Sequence, residues 1–245
     1  MICFMRYSEY IRIERLEKIH FWYRAMEEMA INLINNYFGN IKIKILDTGC
    51  GTGGMTKKLE QFGDVTGIDI NEKALILAKK KGLKKILKAD VCNLPFKDKS
   101  FDLVTSFDVL YHRGISDDMK AIKEMHRVLK PGGLLFIRVP AFEFLRGSHD
   151  IIVQTRHRYT VGELKLKLET IGFKIEKLIY ANTVLSFPLF IKRSIERSRH
   201  KRAHSEITSL PKILNEILYF FLKNENKLMG YLPFGTSIIC NARKR

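Results

Sequence analysis

Apolar residues recur along this chain in two periods, and glycines and prolines mark where one period gives way to the other. Before Ile41, Leu16, Ile19, Tyr23, Met26, Ala30, Leu33 and Phe38 stand three or four apart. That spacing predicts a helix, stopped by Gly39 and Asn40. Strand-like runs follow at Ile41–Leu46, Asp64–Ile68, Lys85–Ala89, Leu103–Phe107 and Leu134–Val139. Met55–Phe62, Asn71–Lys81 and Asp117–Leu129 lie between them with amphipathic spacing. Thr160 is placed to cap a helix over Val161–Ile171, and Gly172 to end it. Phe173–Tyr180 and Thr236–Ala242 alternate as two last strands. The pattern is that of an α/β domain.

An insertion at Asn182–Gly235 separates those last two strands. It holds an apolar stretch (Leu185, Phe187, Leu189, Phe190, Ile191), a basic run from Lys192-Arg193 to Lys201-Arg202, and a helical pattern over Pro211–Met229. The predicted division is therefore an N-terminal helical lid (1–40), a core (41–181), the insertion (182–235) and a closing strand (236–245), all in one domain.

Chemistry concentrates at Ile45–Thr56, where a strand turns into a helix through Gly49, Gly51, Gly53 and Gly54. Glycines there allow positive φ and let a ligand approach bare backbone. The following helix presents free N–H groups. Gly49-Cys-Gly51-Thr-Gly53-Gly54 also satisfies the dinucleotide pattern, and Asp69 lies about twenty residues on, where that pattern expects a ribose-binding acid. Asp47 separates the readings. Its carboxylate precedes the glycines and repels a pyrophosphate, whereas it suits a cationic ligand.

Composition narrows the partners. Hydrophobic residues make up 46% of 245, enough for a real core. Lys and Arg number 43 against 26 Asp and Glu, a net charge of +17. That balance favours anionic partners: nucleic acid, anionic lipid or a phosphorylated molecule. The bland alternative is a Lys-rich source composition. Cys3, Cys50, Cys92 and Cys240 have no metal-ligand spacing and read as reduced thiols of a cytoplasmic protein, so no metal is expected. Met1–Glu17 is too charged for a secretory signal, and no apolar run approaches the roughly 18 residues of a membrane span.

Asp47-x-Gly49-x-Gly51-x-Gly53 resembles the first motif of the class I S-adenosylmethionine-dependent methyltransferases. Leu94-Pro95-Phe96 with Ser100-Phe101-Asp102, and Val128-Leu-Lys-Pro-Gly-Gly133, resemble the type 11 group of that family. His20-Phe-Trp-Tyr-Arg24 is similar to a stretch found before the first motif in one subgroup. The resemblance implies a doubly wound, seven-stranded, mostly parallel Rossmann-like sheet of order 3-2-1-4-5-7-6, its last strand antiparallel. It implies S-adenosylmethionine as cofactor, held by Asp47, Gly49, Gly51, Gly53, Asp69, Ile70, Asp90, Val91 and Asp108. Asp69 serves the ribose, Ile70 the adenine face, and Asp90 with Val91 the adenine edge. Asp69 as a mere helix cap remains the alternative.

The acceptor side is less defined. His112 stands at the end of strand four, but Tyr111 replaces the glutamate of many relatives. Ser148-His149-Asp150 and Arg156-His-Arg-Tyr-Thr160 follow strand five. There His149 or Tyr159 can orient or deprotonate an acceptor, with Arg156 and Arg158 on a phosphate. An Asp150–Arg158 pair that only braces the loop is the competing reading. The expected function is methyl transfer to a small-molecule or lipid-like acceptor, with the insertion touching an anionic membrane or forming an oligomer. RNA or protein methylation, a nicotinamide enzyme and a non-catalytic nucleotide-binding module are the alternatives. Asp108-Val-Leu-Tyr111 lacks the Pro-Pro-aromatic motif of many base-amino methylators, which argues against nucleic acid.

Overall fold

A computed structural model describes residues 5–199, 208–225 and 233–245. Its seven-stranded sheet comprises β1 (Ile43–Thr48), β2 (Gly63–Asp69), β3 (Ile86–Lys88), β4 (Phe101–Phe107), β5 (Leu129–Pro140), β6 (Phe173–Ala181) and β7 (Ser237–Lys244). The order is β3-β2-β1-β4-β5-β7-β6, as expected. The first five pair in parallel, and β7 runs antiparallel to both β5 and β6.

Alternation along the strands sorts side chains onto two faces. Leu46, Val104, Leu135 and Ile137 face a layer that includes Ile122, Met125, Leu164 and Leu168. These come from α5 (Asp118–Val128) and α7 (Val161–Ile171). Ile45, Leu103, Leu134 and Phe136 face the opposite layer, with Met26, Met29, Leu33 and Leu59. Because both faces are covered, the central strands read as nearly continuous apolar runs.

Several caps sit where the residue types placed them. Asn71 accepts from Lys73 N–H and opens α4 (Glu72–Lys80). Asp117 accepts from Lys120 N–H at α5, and Thr160 from Glu163 N–H at α7, which ends at left-handed Gly172.

The N-terminal region departs from the single predicted helix. It forms α1 (Tyr7–Leu16) and α2 (Phe21–Phe38), broken at Glu17–His20. The physical cause is a local cap: His20 Nδ1 accepts the Trp22 N–H and restarts the helix. Strand β5 also begins five residues early. Leu129 leaves α5 in an extended conformation and pairs with Phe101, and a bulge absorbs the step before Leu103. The glycine turn leads into α3 (Gly54–Leu59) and a 3-10 turn.

The insertion begins with α8 (Thr183–Arg199), which contains Pro188, and continues in α9 (Lys212–Glu225). Helix α9 packs along α2. Asn215 Oδ1 accepts the Phe21 N–H and its Nδ2 donates to Ile19 carbonyl, both at 2.8 Å. Glu225 accepts the N–H groups of Thr183 and Val184, so the end of α9 caps the start of α8. Lys201 and Arg202 of the basic run, residues 226–229 of the predicted second helix, and Cys3 lie outside the described residues. Among the described residues no helix is long and apolar enough to cross a membrane.

Candidate active site

The carboxyl ends of β1, β2, β4 and β5 open into a cavity of ≈ 630 Å³, within the roughly 300–1,000 Å³ of small-molecule sites. The aromatic stretch of α2 (His20, Phe21, Trp22, Tyr23) walls one side, and α8 closes another. All the expected cofactor residues except Gly53 lie on the cavity wall.

Asp47 ends the apolar part of β1 and is buried. Its carboxylate accepts from Thr56 at 2.6 Å and Thr105 at 2.7 Å. Burial pushes its pKa up from 3.8 to about 6, against the pull of those two hydroxyls. Asp69, at the end of β2, accepts the Gly51 N–H at 2.9 Å and the Asn71 N–H at 2.8 Å. Burial raises its pKa too, opposed by those amides. Asp69 therefore shapes the glycine turn as well as facing the cavity.

The glycines divide by task. Gly51, at φ +54°, has open space where a Cβ would stand, so ligand can reach its backbone. Gly49 has Val109 against it, and Gly53 has Ala78 Cα and Leu83. A side chain at Gly53 meets α4, which places that glycine in helix packing and off the cavity wall. Asp90 is exposed and accepts the Cys92 N–H at 2.8 Å, next to buried Val91; Ile70 is half-buried.

Asp108, at φ +58°, pairs with Arg138: Arg138 Nε lies 3.0 Å from its carboxylate. The guanidinium also stacks on Trp22, 4.8 Å from the ring centroid. Sequence reasoning missed Arg138. Its signal was a lone cation near the end of an otherwise apolar strand. It also missed Glu17, which is buried, accepts the Thr52 hydroxyl at 2.7 Å and pairs with Lys81. Glu17 had no signal, because the apolar spacing runs unbroken through the helix break that positions it.

The acceptor-side candidates separate. His149 lies on α6 (Ser148–Ile152), half-buried on the cavity wall. His112 also lines the wall, and burial lowers its pKa. Its Nδ1 accepts the Gly114 N–H at 3.2 Å, so the neutral ring carries its proton on Nε2. Tyr159 stands elsewhere. It is fully buried off the cavity wall, donates to Asp118 at 2.8 Å, and thereby ties β5's following loop to α5. The hydroxyl expected at the acceptor is thus committed to bracing. Arg158 reaches the wall but pairs with Asp150 at 2.8 Å and donates to Ala141 carbonyl at 2.8 Å. Burial opposes ionisation of Asp150, yet Arg158 outweighs it and holds that pKa below the usual value. Arg156 pairs with Asp118 at 3.4 Å. No metal-ligand cluster occurs among the described residues.

Comparison with known proteins agrees with this geometry. Residues 46–137 match the family model described as a methyltransferase domain. That match runs from β1 into β5 and takes in part of the chain. A demethylmenaquinone methyltransferase of Staphylococcus aureus (strain MRSA252) is 44% identical over 101 residues, covering 38% of this chain and 41% of that one. The chain thus spans about two fifths of the length of the curated relatives it matches. A Thermotoga maritima structure titled a SAM-dependent methyltransferase, possible histamine N-methyltransferase, aligns over 97% of this chain and 96% of that one. Its TM-score is 0.63 at 20% identity. The [4+2]-cyclase SpnF aligns over 91% of this chain and 83% of its own, at a TM-score of 0.59 and 21% identity. These two likenesses establish the fold alone, and the cyclase illustrates that such a fold does not by itself name the chemistry.

Proposed function

We propose that the protein transfers a methyl group from S-adenosylmethionine to a small, lipid-like acceptor. One observation carries the reading: the glycine turn, Asp47, Asp69, Ile70, Asp90 and Val91 share one cavity with His149 and the apolar residues Leu185, Pro188 and Leu189 of α8. The residues present fit the cofactor. Gly51 leaves an open cradle. Asp69 supplies a carboxylate for ribose hydroxyls, and Asp47 a buried carboxylate suited to a cation. When bound, the cofactor supplies an electrophilic methyl on a sulfonium.

The protein's own contribution is to align the acceptor and exclude water. Trp22 and Tyr23 cover one side of the cavity, and α8 covers another. His149 is placed to hold an acceptor proton. In its Nε2–H tautomer His112 donates instead, which makes it an orienting group. Asp108 pairs with Arg138, whose guanidinium stacks on Trp22. The quinone-type acceptor named for the Staphylococcus aureus relative is consistent with an apolar α8 wall. Peripheral contact with an anionic membrane brings such an acceptor within reach.

The test supplies methyl-labelled S-adenosylmethionine to cell extract with the purified protein, then separates lipid, small-molecule, RNA and protein fractions. Label in the lipid fraction is expected. Label in RNA or protein overturns the acceptor assignment. S-adenosylhomocysteine binding with no label in any fraction supports a non-catalytic module, and tight nicotinamide dinucleotide binding without it supports a nicotinamide enzyme.

A further inference from the structure

Helix α8 has two apolar faces. Leu185, Pro188 and Leu189 line the cavity, while Val184, Phe187, Phe190 and Ile191 are exposed on the outside. Helix α9 is similar. Leu218, Tyr219 and Leu222 turn toward the core, while Ile213, Leu214, Ile217, Phe220 and Phe221 face out. The two helices touch each other, and exposed Phe144 extends the α8 face toward the loop after β5, its ring 6.2 Å from Phe190. Nine large apolar side chains on the outside of two adjoining helices exceed the scattered exposure normal for a surface.

We propose that this outer α8–α9 face lies on an anionic membrane surface, with α8 as the partition between the bilayer interface and the cavity. Charge selects that occupant. Arg197, Arg199, Lys201 and Arg202 fall within six residues of sequence with no acid among them, in a chain of net charge +17; Lys192 lines the cavity instead, and Arg193 is buried with its Nε on the Leu145 carbonyl. A second copy brings together two chains each of net charge +17, and like charges oppose that contact. Anionic headgroups complement the run, and apolar helix faces of this length sit in the headgroup–acyl boundary without spanning it.

A consequence follows for the substrate, and this clause rests on the methyltransferase reading. An amphiphilic acceptor can leave the bilayer past the outer face of α8 and meet the inner face as the cavity wall. The acceptor class is therefore a molecule with a polar, methylatable head and an apolar tail.

The experiment is vesicle co-sedimentation of the full chain. Vesicles of phosphatidylcholine alone and of phosphatidylcholine mixed with phosphatidylglycerol are compared at low and high salt. Phe187, Ile213 and Phe220 are 71%, 78% and 61% exposed, so changing them does not disturb the core. The expected result is binding to anionic vesicles only, weakened by salt. The triple variant F187S/I213S/F220S should bind at least about tenfold more weakly, since burying one such side chain contributes roughly that factor or more.

Unchanged vesicle binding by the variant overturns the proposal. So does absence of binding to anionic vesicles, or equal binding to both kinds. A wild-type dimer in sedimentation velocity that the variant dissociates reassigns the face to a second copy and equally overturns it. Calorimetry with S-adenosylhomocysteine separates the two readings. Its affinity should be the same in wild type and variant, and no binding in wild type sinks the methyltransferase reading while leaving the vesicle result standing.

Discussion

Asp47 holds its charge against burial, and that has a pH signature. Its folded pKa of about 6 lies above the ordinary 3.8. Its contribution to stability is therefore full below the unfolded value and lost as pH rises through about 6. A cationic ligand favours the ionised form. Binding of S-adenosylhomocysteine, which keeps the ammonium, should weaken about tenfold per pH unit below roughly pH 6. Asp47→Asn should flatten that dependence in calorimetry between neutral and acid pH; a wild type already flat contradicts the assignment. Asp150 has the opposite sign. Arg158 holds its pKa low, so the pair stabilises above the ordinary 3.8 and fades as pH falls through the lower folded value. Arg158→Ala leaves a buried carboxylate without its partner and should lower stability by about 3–5 kcal/mol at neutral pH. Urea unfolding should show the loss, smaller in acid. A stable variant with impaired turnover instead returns Arg158 to the acceptor.

At the scale of elements, the lid and the insertion act as one unit. Asn215 on α9 satisfies both the first N–H of α2 and the Ile19 carbonyl in the preceding break. Arg24 adds a pair with Glu216 at 2.5 Å and stacks on Tyr219 at 4.0 Å. The exposed ion pair contributes little, whereas the buried amide leaves two polar groups unsatisfied when removed. Asn215→Ala should destabilise by about 1–3 kcal/mol. Hydrogen exchange should speed in α9 and at the start of α2 and leave the central strands unchanged. Uniform acceleration throughout the sheet contradicts a local clasp. The same coupling explains why one predicted N-terminal helix became two. Spacing could trace an apolar stripe through Glu17–His20, but it carried no information about a cap made by His20 or a partner amide nearly two hundred residues away.

For the whole molecule, the cavity wall draws on the lid, four strand ends, the α6 loop and α8. A ligand there ties distant segments together. S-adenosylhomocysteine at a hundredfold excess over its dissociation constant should stabilise the fold by about 2.7 kcal/mol. Protection from hydrogen exchange should rise together at 17–23, 49–54 and 185–192. Protection confined to 49–54 contradicts closure of the lid and α8 on the cofactor.

The succession of strands and helices and the glycine turn were readable in the sequence because each depends on local signals, whereas the sheet order came only with the family resemblance. Alternation reports strand faces, caps report helix starts, and Asp47 with Gly49 and Gly51 stands in one short stretch. Strand edges moved by a few residues, as at Leu129, because pairing with Phe101 decides where β5 starts. The acceptor side was decided only by tertiary structure. His149 and Tyr159 were alternatives for orienting or deprotonating an acceptor, and Arg158 stood between a phosphate and a brace with Asp150. Packing sent Tyr159 into the core against Asp118, locked Arg158 onto Asp150, and left His149 on the cavity wall. A side chain's neighbours from distant elements set its burial and its partners, and with them its charge state, and no spacing along the chain encodes those neighbours.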